Sequence, residues 1–247
     1  MVGKCFYFDG RPSRELGLTI SGSGTYDAPE RDITKISVPG RSGDLIQDNG
    51  RYKNVPVRYP VSILGDFAQK AEAARAWLLS RPGYRRLEDD YDPDHFRLAQ
   101  FVGPISFDVG PGNHTGEATL TFDAKPQRYL KSGEVPLTVG NGDTVHNPTL
   151  FPASPLILIS VEGGIGDTYA TFTLGGQTLR LCLMGKTTFA IDCEAQDIFN
   201  DAGQERSSLL SCRAFPTLPP GDSVVSWEAD DLDQVVNVRI VPRWWTV

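Results

Sequence analysis

SVPGRSGDLIQDNGRYKN, residues 37–54, stands between two β-like runs and admits two readings: a cradle for a phosphate, or an arm toward another protein. The cradle fails on spacing. A phosphate-binding loop of the Walker type needs Gly, four residues, then Gly-Lys-Ser/Thr ahead of a helix. Here Gly40 is followed five positions on by Leu45, and a strand-like run comes next. A dinucleotide fingerprint fails for the same reason. Asp48-Asn49-Gly50 reads as a tight hairpin turn, because Asn and Gly tolerate positive φ. Residues 44–47 and 51–54 are then its two strands. Two-stranded hairpins are marginal in water, and Leu45, Ile46 and Tyr52 have no neighbouring helix in sequence to cover them. The hairpin either lies on its own domain or packs on a neighbouring copy, and the second choice makes it an assembly arm.

Outward from the arm the chain reads as mainly β. Gly and Pro punctuate many short runs. VPVRYPVSIL (55–64) alternates Val55, Val57, Tyr59, Val61 and Ile63 on one face, with Pro56 and Pro60 on the other. The two missing N–H groups point to the same side, which predicts an edge or bulged strand there. One helix follows in GDFAQKAEAARAWLLSRPG (65–83). Asp66 is placed to cap it with Gln69 three residues on. Phe67, Ala71, Ala74 and Leu78 form its apolar stripe, and Pro82-Gly83 stops it. RRLEDDY (85–91), FRLAQFVGPISFDV (96–109) and GEATLTFDA (116–124) read as three more strands. The aperiodic KPQRYLKSGEVPLTVGNGDT (125–144) puts a domain boundary near Leu130. Beyond it, PLILISV (155–161), a hairpin turning at Gly175-Gly176, and further β runs make up a sandwich-like set.

Composition narrows the function classes. The 247 residues suit two domains, 1–130 and 131–247. The first holds 17 Lys/Arg and 17 Asp/Glu; the second holds 7 and 14, so it carries the whole net charge of −7. An acidic domain without a basic stripe is a poor nucleic-acid binder. It equally suits a passage through which DNA slides. No run approaches the ~20 apolar residues of a membrane span. MVGKCFYFDG (1–10) holds too short an apolar stretch for a signal peptide. Cys5, Cys182, Cys193 and Cys212 form no CxxC pair and read as reduced thiols of a chain folded in a cytoplasm.

The chain offers little for catalysis. Asp90, Asp92 and Asp94 have calcium-loop spacing, but His95 stands where the turn glycine is needed and Phe101 where the bidentate Glu belongs. His95, His114 and His146 lack helical zinc-pair spacing. No GxSxG elbow is present, and no carboxylate pair stands out from the surface charges. Trp244 and Trp245 are adjacent in a strand-like run, so one faces inward. The other marks an interface or, as an alternative, a sugar platform.

Taken in order, FYFDGRPSRELGLTIS (6–21), RDITKISVPGRSGDLIQDNGRYKNVPVRYPVSI (31–63), AEAARAWLLSRPGYRRLEDDYDP (71–93), NPTLFPASPLILISVEG (147–163), FPTLPPGDSVVSW (215–227) and PRWWTV (242–247) resemble the distal tail protein (Dit) family of long-tailed, non-contractile bacteriophages. The similarity covers nearly the whole chain. It implies an N-terminal β-sandwich or split-barrel belt domain with one α-helix and a protruding β-hairpin arm, and a C-terminal galectin-like β-sandwich. It implies a homohexameric ring at the virion tail tip, assembled in the host cytoplasm. Expected partners are the major tail tube protein, the tail-associated lysin or fibre hub, and receptor-binding proteins. An open channel would pass tape measure and DNA. No catalytic, cofactor or metal site is implied. The arm carries over onto Val38, Pro39, Gly40, Arg41, Gly43, Asp44, Leu45, Ile46, Asn49, Gly50, Arg51 and Tyr52. Val38, Leu45, Ile46 and Tyr52 are its expected apolar contacts; Arg41, Asp44 and Arg51 would set register through charge. A carbohydrate-binding module is the alternative.

Overall fold

The computed structural model describes residues 3–22, 26–162, 168–183, 186–229 and 235–247. Its contacts divide the chain into two compact units, Met1–Arg128 with Val247, and Tyr129–Thr246.

The first unit is built from β1 (Phe6–Phe8), β2 (Arg11–Pro12), β3 (Leu18–Ile20), β4 (Arg31–Ile36), β5 (Leu45–Tyr52), β6 (Val55–Leu64), α1 (Phe67–Leu79), β7 (Arg85–Asp89), β8 (His95–Gln100), β9 (Asp108–Val109) and β10 (Thr115–Leu130). Its main sheet runs β2-β1-β7-β8-β10-β6-β3, with β9 beside β10. β4 and β5 pair only with each other. The period-two pattern of β6 is realised: Val55, Val57, Tyr59, Val61 and Ile63 are all buried. Phe6, Phe8, Tyr59, Trp77 and Phe122 interlock below the sheet, with ring centroids between 5.2 and 6.1 Å apart. Helix α1 closes this core with Ala71, Ala74, Trp77 and Leu78.

Two expectations about this unit need correction. Asp66 makes no side-chain cap; it sits in the left-handed region at φ 47, so its carboxylate is not set to accept from the first turn. The expected single strand over residues 96–109 ends at Gln100, and a separate short strand begins at Asp108; Gly103 at positive φ and Pro104, which has no N–H, lie between them. β10 also runs on to Leu130, through residues whose composition reads as irregular.

The proline reading of β6 holds in detail. Along its whole length β6 pairs with β10, from Val55↔Ala124 to Leu64↔Thr115. On the other side β3 pairs only with Val61, Ser62 and Ile63. The Ser21 N–H donates to the Pro60 carbonyl on that side, at 2.9 Å. Pro56 shares its parity. Pro60 thus sits where the pairing with β3 ends, and Pro56 faces the stretch beyond, where no described strand pairs with β6 on that side.

The second unit continues with β11 (Leu137–Val139), β12 (Thr144–Asn147), β13 (Leu156–Glu162), β14 (Tyr169–Leu174), β15 (Gln177–Cys182), β16 (Lys186–Asp192), β17 (Asp197–Phe199), β18 (Leu210–Cys212), β19 (Gly221–Ala229), β20 (Val235–Val241) and β21 (Trp245–Thr246). Two five-stranded antiparallel sheets result, β11-β20-β13-β16-β17 and β12-β19-β14-β15-β18. Alternate residues of both, among them Ile157, Ile159, Phe172, Leu174, Leu179, Leu181, Phe189, Ile191, Val238 and Ile240, fill one core. This is a β-sandwich. Trp244 is buried in that core. Trp245 stacks on Phe151 at 4.5 Å and donates its indole N–H to the Pro152 carbonyl.

The β14–β15 turn falls at Gly175-Gly176, as its sequence predicts, with Leu174 opposite Gln177. Gly175 has φ +57, and a Cβ there would lie 2.0 Å from the Thr217 carbonyl oxygen. Gly176 also has positive φ, but its surroundings are open. Gly175→Ala is therefore expected to destabilise the sandwich by more than ~2 kcal/mol, and Gly176→Ala by only ~1 kcal/mol. Chemical denaturation of the two variants checks this; equal losses refute the contact argument.

Arg243 forms a bidentate pair with Asp192, at 2.7 and 2.8 Å. Hydrogen bonding from that guanidinium holds the Asp192 carboxyl down at about 2. A depressed folded pKa contributes stability above the ordinary value of 3.8, and the contribution disappears as pH falls toward about 2. Asp192→Asn is expected to cost on the order of 2 kcal/mol at pH 7 and much less at pH 2. Denaturation midpoints at the two pH values measure this.

Candidate assembly arm

The arm differs from the hairpin that Asp48-Asn49-Gly50 suggests. β5 runs straight through those residues, and its partner is β4 on the N-terminal side. The pairs are Ile36↔Leu45, Lys35↔Ile46, Thr34↔Gln47 and Ile33↔Asp48, then Arg31↔Tyr52. Three residues of β5, Asn49, Gly50 and Arg51, thus oppose one residue of β4, Asp32. The Asn-Gly signal marks a bulge rather than a turn: Gly50 takes φ +71, and its N–H is received by the Asp48 carboxylate at 2.9 Å. Bulge and I′ turn both demand positive φ, so the dipeptide does not distinguish them. Residues 51–54 form no return strand. The true turn is the loop 37–44, where Gly40 and Gly43 have positive φ and the Arg41 N–H donates to the Val38 carbonyl.

The expected site residues lie as follows. Pro39, Gly40, Arg41, Gly43 and Asp44 form the exposed tip, with Val38 half-buried beside them. Leu45 and Ile46 are 40% and 66% exposed. Asn49, Gly50 and Arg51 are at the bulge, and half-buried Tyr52 closes the base under the Arg31 guanidinium. The sequence reading misses the first leg. Ile33 and Ile36 belong to the same ribbon, and Ile36 is 45% exposed. Its signal was the β-branched run ITKI just ahead of the loop.

Cross-strand partners share a face. Ile36 and Leu45 therefore occupy one face, and Ile33 and Ile46 the other. None of the four belongs to the core of the first unit. The ribbon satisfies its backbone hydrogen bonds but leaves apolar side chains open on both faces.

Charges stiffen the ribbon from within. Arg31 pairs with Asp48 at 2.7 Å, Arg51 with Asp32 at 2.7 Å, and Lys53 with Glu30 at 3.4 Å. Hydrogen bonding from Arg51 holds the Asp32 carboxyl below its usual range. Arg51 is thereby tied to its own chain through Nε, while its side chain stays 76% exposed. Among the described residues, Lys35, Arg41 and Asp44 form no ion pair.

The other candidate chemistry disperses. Asp90 accepts from the Cys5 N–H at 2.9 Å and pairs with Arg14, while Asp92 is bound by His95 and Arg128. Burial alone would raise Asp92; Arg128 and His95 outweigh it and hold the carboxyl below its usual range. Among the described residues no group of three His, Cys, Asp or Glu is placed to hold a metal. All four cysteines are free thiols. No described helix is long and apolar enough to cross a membrane.

No family model matches the sequence, and no curated protein does. Solved structures do. The chain is similar to the SPP1 Dit protein, described as a paradigm of the hub adsorption apparatus in phages infecting Gram-positive bacteria. That match has a TM-score of 0.73 at 14% identity, over 96% of this chain and 97% of that one. It is also similar to a chain of the phage P2 baseplate in its activated conformation with Ca, at a TM-score of 0.51 and 9% identity, over 97% and 98% of the two chains. At these identities the likeness is one of fold. The fold is that of phage tail hub proteins of the Dit type, across both units.

Because the arm lies outside the core, its loss is expected to leave the subunit folded. Excising residues 32–51 and joining Arg31 to Tyr52 through Asn-Gly should shift Tm by no more than ~3 °C. Calorimetry checks this, and a large drop in Tm would mean that the arm supports its own subunit.

Proposed function

We propose that this protein is a structural component of a bacteriophage tail tip, a homohexameric ring closed by the exposed arm. The observation that carries the reading is the ribbon β4–β5, with apolar side chains open on both faces and no seat in its own core. A head-to-tail contact of that kind repeats by rotation until it closes. Obligate interfaces usually bury more than ~2,000 Å², and Ile33, Ile36, Val38, Leu45 and Ile46 supply the apolar part. Arg41, Asp44 and Lys35 remain to fix register through charge.

In this reading residues 1–130 form the ring, and residues 131–247 form a sandwich at its periphery. The ring joins the tail tube protein on one side and the tail-associated lysin or fibre hub on the other, and receptor-binding proteins dock around it. Tape measure and DNA pass through the opening. The role is mechanical and involves no chemistry. It places the protein at the virion tail tip after assembly in the host cytoplasm. A sugar platform at the C-terminal tryptophans has less support, since Trp244 is buried and Trp245 is stacked on Phe151.

Light scattering over a concentration series tests the proposal. The full chain is expected to approach the mass of six subunits, and the excised-arm variant to remain a monomer throughout. Normal assembly of that variant would overturn the role of the arm.

A further inference from the structure

Arg97 lies on β8 and is 9% exposed. Among the described residues it forms no ion pair. Its two terminal nitrogens donate to backbone carbonyls instead, Nη1 to Pro126 and Nη2 to Asp27, at 3.3 Å each. Burial draws its guanidinium down to about 10, and the nearby Arg128 adds repulsion. Asp92 and Asp27 offset part of that cost from beyond ion-pair distance, yet a buried charge remains costly, and an apolar side chain of similar volume usually serves stability as well or better. What Arg97 supplies is geometry: a planar fork that holds two carbonyls at once.

Those two carbonyls belong to different parts of the unit. Pro126 is on β10, a strand of the main sheet. Asp27 is in the leader to the arm, where residues 26–30 have no helix or strand and are largely exposed. Upstream, the Tyr91 hydroxyl donates to the Gly22 carbonyl and the Ser21 N–H to the Pro60 carbonyl; within residues 26–30 the other described ties are few. Arg58 approaches the Asp27 carboxylate only at 3.8 Å, on the surface. The Lys53 N–H reaches the Glu30 carbonyl, but that bond is within the arm's own base. The trailing leg is fixed separately: the Asn54 amide nitrogen lies 2.6 Å from the Tyr84 hydroxyl and 2.9–3.0 Å from the Asp123 carboxylate. One anchored leg leaves a ribbon free to swing. Two anchored legs give it a direction.

We infer that Arg97 is the positioning residue of the arm, a buried pin that ties the leader at Asp27 to the sheet at Pro126 and so sets where the ribbon points. The inference rests on the arm as the assembly element, and its test is independent of whether a ring forms. A ring closes only if every subunit presents its arm at the same angle, so the pin determines the concentration at which closure occurs.

Spin labels at Ile46→Cys and Glu117→Cys, in a Cys212→Ser background of the full chain, report the distance from arm to sheet. Arg97→Lys keeps the charge but not the fork; Arg97→Met removes both and fills the space. Both variants are expected to retain the native far-UV spectrum and to broaden the distance distribution at least twofold. Without the labels, both are expected to raise the midpoint concentration of assembly at least tenfold. Should Arg97→Met fail to fold, Arg97→Lys alone decides. A lowered Tm with an unchanged distribution would make Arg97 an ordinary core residue and overturn the inference. A native chain that stays monomeric at every concentration would refute the ring, while the distance widths still judge the pin.

Discussion

A two-stranded ribbon can satisfy its own backbone, but it cannot bury its own side chains. Each of its residues finds a hydrogen-bonding partner across the pair, yet each side chain stands on one of two open faces. The β4–β5 ribbon takes this to its limit, with Ile36 and Leu45 on one face and Ile33 and Ile46 on the other. No rigid placement on its own subunit would cover both faces, and the proposed contact with a neighbouring copy rests on that constraint. An aromatic core under a single helix makes the sheet rigid, and the anchors at Asp27 and Asn54 transmit that rigidity to the ribbon.

The fold was largely legible in the sequence where burial imposes a period. β6 shows its alternation plainly, because one face is core and the other is not. The same holds for the β14–β15 hairpin, whose glycines are required by φ and by the nearby Thr217 carbonyl. Legibility failed where one chemical requirement serves two geometries. Asn49-Gly50 satisfies positive φ equally in a turn and in a bulge, and only the pairing with β4 decides between them. Asp66 has the right side chain for a cap but the wrong backbone. The charges of the arm are illegible for a related reason: Arg51 reads as unpaired until Asp32 is found opposite it, 19 residues back in the chain.

The site itself was half legible. The tip and second leg are marked by glycines and by an apolar pair without cover. The first leg, ending at Ile36, looks like any short strand. Arg97 gave no signal at all, since a single arginine in a strand reads as a surface charge. What distinguishes it is burial with both terminal nitrogens on backbone carbonyls, and that is visible only in three dimensions.

The prolines of β6 have a bearing on how such a chain survives before it is used. Where the pairing with β3 ends, positions 56, 58 and 60 aim their backbone to that side, two of the three are proline, and the Pro60 carbonyl is already met by the Ser21 N–H. An incoming strand would find a single donor there. The first unit therefore carries an open apolar ribbon beside an edge that is chemically blunted. An edge blunted in this way resists zipping onto a second copy edge to edge, which leaves the proposed arm contact without that competitor.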